Sequence, residues 1–374
     1  MNICIIGGGN IGTYMAAYIA SKAKYNVSLY TPKKNRFSSS IELKKEEVNV
    51  TEYVQIDHIT DNLKEAVEKA NIIFITLPSF MRKNIIDKIT KYITKGTFIG
   101  CIPGFGGSEF CIKGLLEKGC TFFGSQRVPA IARLNEYGKS VSLKEKNKFI
   151  KVSAIPLNKT QQIATVIEEL LDIKCIILPN YLPITLSPSN PIMHPARLIE
   201  IFYDEVKKCE ISHKKEVLFY QDWNNRASEN LLALDEELGK IFEVLQMSQE
   251  GRETIKGRFN ISNSTELTQK IRYAYGFRGI KAPMIKKGDL YVADSSSRYF
   301  TEDIPYGLCI IKSFAEICKI DTPVTDHILS WGQKILNKEY LVNGRLCGKD
   351  IEELLIPQQI GINDKEVLSA YYES

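Results

Sequence analysis

Met1-Asn2-Ile3-Cys4-Ile5-Ile6-Gly7-Gly8-Gly9-Asn10-Ile11-Gly12 opens the chain and decides the reading of its first half. A short apolar run ends at Ile6, and G-x-G-x-x-G follows at once. A glycine motif alone is weak. Placed between a strand-like and a helix-like segment, it meets the requirement of a dinucleotide-binding βαβ unit. Gly7 allows the tight turn, Gly9 lets the backbone approach a pyrophosphate, and Gly12 lets the helix pack close to the strand. Asn10 and Ile11 open the helix, whose free N–H groups and positive dipole end face the phosphates. A glycine turn in some other α/β protein is the bland alternative.

Helix-compatible residues run from Asn10 to Lys24, and Asn26 to Tyr30 reads as the second strand. An NAD-type site usually ends that strand with Asp or Glu, which accepts from the ribose 2′-OH. Here Thr31 stands at the position, followed by Pro32, Lys33, Lys34 and Arg36, with no acid before Glu42. A neutral hydroxyl followed by three cations suits a 2′-phosphate better than a bare ribose. NADP is therefore the expected cofactor and NAD the alternative. A solvated basic loop would have the same composition.

Ile72 to Leu77 is a continuous apolar strand of the kind a doubly covered parallel sheet demands. It ends in Pro78-Ser79, a loop at a strand's carboxyl end, where cofactors bind in such sheets. Phe98 to Ile102, Thr121 to Gly124 and Cys175 to Leu178 are further strands, and Gln161 to Leu171 is helical. Ser140–Leu143 and Phe149–Ala154 read as a pair of shorter strands. From Pro195 onward helical periodicity dominates, over Arg197–Lys208, Arg226–Gln246 and Tyr306–Lys319, with shorter helices at Thr265–Ala274 and Val324–Leu336. The Pro/Asn/Ser-rich stretch Pro179 to Pro195 marks the boundary. The expectation is a Rossmann-type doubly wound α/β parallel sheet over 1–180, then a mostly α-helical second domain over 181–374.

The 374 residues, 44% hydrophobic and 25% charged, are ordinary for a globular chain. A net charge of +5, with no long basic run interleaved with aromatics, gives no reason to expect nucleic acid. Lys44 and Lys45 stand among Glu42, Glu46 and Glu47 and read as a solvated surface. The cysteines number nine, an odd count, and form no CxxC. With the first strand at the very N-terminus, where a cleavable signal would remove the glycine motif, reduced thiols and a cytoplasmic location are expected. No apolar run approaches the roughly 18 residues of a membrane span, so no membrane partner is expected. His58, His194, His213 and His327 are not paired at ligand spacing, and no metal site is expected.

Two segments of the second half look unlike helix surface: Ser187 to Arg197, containing Asn190-Pro191-Ile192-Met193-His194-Pro195, and Ser297 to Leu308. Both read as loops that open helices. Pro is favoured at the first helical position, which puts His194 at a helix N-terminus. The dipole there lowers an imidazole pKa and a nearby carboxylate raises it, a balance suited to taking and returning a proton. Asp303 could orient that imidazole, and Arg298 could clamp a substrate carboxylate. Each has a plainer reading: a structural helix-start histidine, an N-cap aspartate (Thr301 serving as well), a surface cation.

Asn190-Pro-x-x-His-Pro and Arg298-Tyr-x-Thr-Glu-Asp-x-Pro-Tyr-Gly-Leu resemble the signature segments of the octopine/nopaline (opine) dehydrogenase family. The resemblance covers most of the chain. It includes the glycine fingerprint, Gln126-Arg127-Val128-Pro129 through Arg133, Gly138, Lys144 and Ala154-Ile155-Pro156. Tyr220 through Leu234-Asp235-Glu236-Glu237 and Gly239 resemble a later helical hairpin. It implies an enzyme that joins an α-keto acid such as pyruvate to the amino group of an amino acid through an imine and reduces it with NAD(P)H. By that match His194 is the general acid/base, Asp303 its partner and Arg298 the carboxylate ligand. Gln126 is a weaker candidate on the keto-acid side, and Arg197, Arg133 and Arg127 are further cations. Small-molecule substrates are the implied partners, and a homodimer is compatible with the family.

Two rivals stand beside this reading. A ketopantoate-reductase-like or glycerol-phosphate-dehydrogenase-like reductase shares the architecture but relies on a catalytic lysine. Pro103-Gly104-Phe105 occupies the place where such enzymes carry one at the domain junction, and the histidine–aspartate pair stays unexplained. A non-catalytic NADPH sensor would leave His194 and Asp303 dispensable.

Overall fold

Strand β1 (Asn2–Ile6), helix α1 (Asn10–Ala20) and strand β2 (Asn26–Tyr30) form the βαβ unit that the opening stretch predicts. The structure, a computed structural model, describes residues 1–187, 189–207 and 213–373; Pro188 and Lys208, within segments read above, lie outside them. Next come β3 (Ser40–Lys45), β4 (Val50–Gln55), β5 (His58–Thr60), α2 (Leu63–Val67), β6 (Ile72–Ile75), α3 (Ser79–Ile89) and β7 (Phe98–Cys101). They are followed by α4 (Lys113–Glu117), β8 (Thr121–Ser125), β9 (Ala130–Glu136), β10 (Ser140–Lys146), β11 (Phe149–Ile155), α5 (Thr160–Leu171), β12 (Lys174–Ile177) and α6 (Leu182–Thr185).

An eight-stranded sheet runs in the order β12-β11-β8-β7-β6-β1-β2-β5. Its strands are parallel except where β11 runs against β8. Every residue of β6 is buried, as a strand covered on both faces must be. The order reverses beside β1, between β6 and β2, so the glycine turn after β1 lies at the switch point of the sheet.

The pairing expected of Ser140–Leu143 with Phe149–Ala154 is corrected. β10 joins a second, four-stranded sheet, β4-β3-β10-β9, while β11 joins the main sheet. β10 alternates, and its Val141 and Leu143 find apolar partners in Leu134 and Ala132 of β9. The Lys-rich stretch is likewise the β3–β4 hairpin and not a bare solvated surface. Ile41 and Leu43 point into the core between the half-buried Glu42 and Lys44, a period of two that the charges obscured.

The contacts divide the chain into two units, Met1–Thr185 with Ala370–Ser374, and Leu186–Ser369. The second unit holds α7 (Asn190–Lys207), α8 (Asn225–Val244), α9 (Ile255–Phe259), α10 (Ser264–Tyr273) and the hairpin β13 (Met284–Lys287) with β14 (Leu290–Ala293). α11 (Arg298–Thr301), α12 (Cys309–Cys318) and α13 (Pro323–Ile335) follow, and α14 (Lys365–Glu373) ends among residues of the first unit. Trp223, Trp331, Phe202, Phe219 and Phe300 are fully buried and fill the helical core. Among the described residues no helix is long and apolar enough to cross a membrane.

Candidate active site

The glycine turn is built for close approach. Gly7 has φ +119°, and its N–H donates to Tyr30 O at the end of β2 (3.1 Å). A Cβ on Gly12 would stand 1.8 Å from Gly7 O, so the helix can meet the strand only without one. A Cβ on Gly9 would meet nothing within 4 Å, which leaves the backbone there open. Gly9 caps α1 with no side-chain bond, and the first turn holds no acid. Free N–H groups, a positive dipole end and open space fit a pyrophosphate. Asn10 is held in place, its Oδ1 accepting from Leu134 N at 2.9 Å. Ile11 packs its side chain on the core.

Thr31, just after β2, is buried, its Oγ1 accepting from Lys33 N at 3.2 Å. Lys33, Lys34 and Arg36 are exposed. Tyr137, which sequence reasoning missed, organises this loop. The Arg36 guanidinium lies 4.7 Å and the Lys33 ammonium 5.7 Å from its ring centroid. Ser38 N donates to Gly138 O at 2.8 Å, and a Cβ on Gly138 would come within 2.2 Å of Arg36 O. The β9–β10 turn thus supports the basic loop.

Pro78 and Ser79 open α3 at the carboxyl end of β6, and Ser79 is buried. Arg82, also missed, lies one turn along α3 and is 1% exposed. It donates to Leu77 O at 3.0 Å and Phe105 O at 2.5 Å, joining the loops that follow β6 and β7. Gln126 is buried just after β8, and its Nε2 donates to Pro183 O at 2.8 Å.

In the second unit His194 and Asp303 meet. His194 Nδ1 lies 2.7 Å from Asp303 Oδ2, and both side chains are 7% exposed. Burial pushes the Asp303 carboxyl up from its ordinary range, and the His194 imidazole pulls it back. With the carboxylate accepting, the neutral ring carries its proton on Nδ1 and keeps a lone pair on Nε2. Asp303 makes no side-chain capping bond, and Thr301 Oγ1 bonds back to Ser297 O, so neither plays the N-cap role considered above.

One expectation fails in detail. α7 begins at Asn190, with Ser189 O accepting from Ile192 and Met193 N–H, so His194 sits in the second turn and not at the helix start. Pro195 is tolerated there because its missing N–H removes a single bond near the end of a long helix. Ser297 to Leu308 is also no open loop. α11 leads into a π-helical turn, Ile304–Leu308, in which Leu308 N donates to Asp303 O at 3.0 Å. Such turns recur at functional sites because they re-aim neighbouring side chains.

Arg298 is exposed, and its Nε donates to Glu302 Oε2 at 2.7 Å; its Nη2 bonds the same oxygen. One edge of the guanidinium is thereby fixed and the Nη1 side is presented for another anion. Arg197 is not a substrate clamp. It is buried, and it donates to Phe219 O (3.1 Å) and Asp222 O (2.7 Å). It thus holds the segment carrying Tyr220, whose hydroxyl lies 2.9 Å from His194 Nε2. Tyr299 stacks on the imidazole, centroids 4.1 Å apart at 30°. Tyr220 and Tyr299 were legible only as members of their motifs, since no local spacing aims them at the histidine.

Residues 177–336 match the family described as NAD/NADP octopine/nopaline dehydrogenase, alpha-helical domain, and residues 2–131 the NAD-dependent glycerol-3-phosphate dehydrogenase N-terminus. Tauropine dehydrogenase of Arabella iricolor is 27% identical over 96% of this chain and 98% of its own. Opine dehydrogenase of Haliotis discus hannai is 28% identical over 84% and 82%. The solved octopine dehydrogenase with NADH and L-arginine superposes with a TM-score of 0.85 at 22% identity, over 98% of this chain and 97% of that one, and shows the fold. The glycerol-phosphate likeness stops within the cofactor unit; His194, Asp303 and Arg298 all fall inside the octopine/nopaline match. Over most of its length the chain is thus similar to octopine/nopaline (opine) dehydrogenases, which are NAD(P)-dependent oxidoreductases.

Proposed function

We propose that this chain is an NAD(P)H-dependent opine dehydrogenase, which condenses an α-keto acid such as pyruvate with the amino group of an amino acid and reduces the imine to a secondary-amine dicarboxylate. The observation that carries the reading is the buried His194–Asp303 pair at 2.7 Å, with Arg298, on α11 just before Asp303 in the chain, presenting one edge. A lone cofactor sensor has no use for it. A lysine-dependent reductase leaves the buried His194–Asp303 pair unexplained.

The nicotinamide supplies the hydride when bound. Gly7, Gly9 and Gly12, with the first N–H groups of α1, would hold the pyrophosphate. Pro78 and Ser79 would line the cofactor. NADP is favoured over NAD by the absence of an acid at the end of β2 and by Lys33, Lys34 and Arg36, the loop braced on Tyr137. Arg298 would take a carboxylate of the substrate on its presented edge, and Gln126 would contact the keto-acid side through its amide oxygen.

His194 handles the proton. Loss of water from the carbinolamine and formation of a cationic, better hydride-accepting imine both need a donor, and Asp303 stabilises the charged imidazole. In the reverse direction the same nitrogen takes the amine proton. An ammonium, a keto acid, NAD(P)H and one proton yield the secondary ammonium, NAD(P)⁺ and water, so each turnover consumes one proton. An odd number of cysteines, nine, with no CxxC spacing supports a reducing, cytoplasmic setting.

Oxidation of NADPH and NADH followed at 340 nm, with keto acid and amine omitted in turn, tests the reading. Oxidation that requires both partners is the expected result. Oxidation with a keto acid alone would make the protein a carbonyl reductase and overturn it.

A further inference from the structure

The chain leaves the first unit after Thr185 and returns to it at Ala370. Inside that unit both passages are fastened at one side chain. Glu109, in the segment after β7, is fully buried. Its Oε1 accepts from the Thr185 hydroxyl and from Tyr372 OH, the latter at 2.9 Å. The two lone pairs of one carboxyl oxygen allow both bonds at once. Its backbone oxygen accepts from Tyr371 OH at 2.5 Å, and the Tyr371 ring lies 5.8 Å from that of Phe110. From Glu109 the contacts run to the cofactor side. Arg82 donates to Phe105 O in the loop after β7 (2.5 Å) and to Leu77 O in the loop after β6 (3.0 Å). A Cβ on Gly106 would stand 2.3 Å from Ser79 Oγ, so the two loops touch. A shift of the β7 loop is therefore felt at Pro78 and Ser79.

We infer that Glu109 is a positioning residue for the cofactor: it fastens the end of α6 and the last turn of α14 to the β7 loop, and through Arg82 this anchorage holds Pro78 and Ser79 in their binding arrangement. This rests on the cofactor role proposed above for Pro78 and Ser79. Glu109 itself touches no ligand. Its effect is preorganisation. A loop already ordered in the free protein pays less conformational entropy when the ligand arrives, so an anchored loop binds more tightly than a loose one with the same contacts. Residues 371 and 372, at the far end of the sequence from the glycine turn, thereby serve the same ligand as Gly7, Gly9 and Gly12. Thr185 and Tyr372 are the donors on which the anchorage depends, because each gives its hydroxyl to the one accepting oxygen.

The test uses the full chain at pH 6, below the value of about 7 to which burial raises the Glu109 carboxyl. Wild type is compared with Tyr372→Phe, Glu109→Gln and Glu109→Ala by fluorescence titration of NADPH and by kcat at saturating cofactor. Tyr372→Phe removes one hydroxyl and should bind NADPH about three- to tenfold more weakly, with kcat within about twofold of wild type. Glu109→Gln keeps the accepting oxygen and should stay within about twofold in both, while Glu109→Ala should weaken binding about 10- to 100-fold. Tyr372→Phe, the milder change, decides the matter if Glu109→Ala does not fold. Hydrogen exchange of the cofactor-free proteins locates the effect. In Tyr372→Phe the amides of residues 77–82 and 104–110 should exchange about three- to tenfold faster, and those of α5 at the wild-type rate. Unchanged NADPH affinity in Tyr372→Phe overturns the inference, and so does faster exchange confined to residues 370–373. If wild type binds neither NADPH nor NADH, the cofactor reading fails, and the exchange measurement still decides whether Glu109 anchors the loops.

Discussion

At the start of α1 the working surface is backbone; around His194 it is side chain. The first region works by subtraction. Gly12 and Gly9 matter for the atoms they lack, and the ligand meets N–H groups that any sequence would supply. The second works by assembly. His194 from α7, Tyr220 before α8, and Tyr299 and Asp303 around a π-helical turn converge from distant points in the chain. A backbone site needs only local spacing. A side-chain site needs the whole helical core to hold four groups in register, with Phe219 and Trp223 packed beneath them.

The comparison predicts separable failures. His194→Asn should lower kcat by about 10²- to 10⁴-fold and leave the NADPH dissociation constant within about twofold of wild type. Steady-state kinetics with fluorescence titration of NADPH checks this, and turnover that survives nearly intact would end the acid/base assignment. Gly12→Ala should do the converse. A Cβ 1.8 Å from a backbone oxygen must push the glycine turn apart, so NADPH should bind about 10- to 100-fold more weakly.

A third test probes the first unit away from its ligand. Glu109 is fully buried, bonded by Tyr372 OH at 2.9 Å and by Thr185 Oγ1, while Tyr371 OH donates to its backbone oxygen at 2.5 Å. Burial raises its carboxyl to about 7. A folded-state value above the unfolded one favours the protonated form, so its contribution is complete below the unfolded pKa and is lost as pH rises through about 7. The change is on the order of 3 kcal/mol. Thermal unfolding should show wild type losing stability between pH 5 and 8 relative to Glu109→Gln, which stays neutral throughout; parallel curves would refute it.

The smallest expected effect sharpens the cofactor side. Arg36→Ala should raise KM for NADPH about tenfold, a change near 1.4 kcal/mol, and leave NADH nearly unaffected. Equal effects on both cofactors would mean that Arg36 braces the loop on Tyr137 and does not read the phosphate.

Legibility followed the same division. The glycine turn, β2 with Thr31 just after it and the apolar β6 were readable because each depends on residues close in sequence. His194, Asp303 and Arg298 were reached through motif resemblance, since no local periodicity announces a site assembled across more than a hundred residues. Where local signals conflicted, the reading slipped. Pro195 looked like a helix start, yet the chain turns helical at Asn190 because Ser189 O serves the first donors. The charges of Ser40–Lys45 hid a strand whose inward residues are Ile41 and Leu43.

By itself the sequence determined the βαβ opening, the parallel sheet behind it, the helical second half and the residue types of the chemistry, because short-range sterics and burial patterns are local properties. Tertiary structure decided the rest. It sent β10 and β11 to different sheets, committed Asn10 and Arg197 to structural bonds, and brought Tyr220 and Tyr299 to the imidazole. Those outcomes depend on which distant surfaces bury one another, and a hydrogen bond between groups far apart in the chain exists only after that burial has placed them within 3 Å.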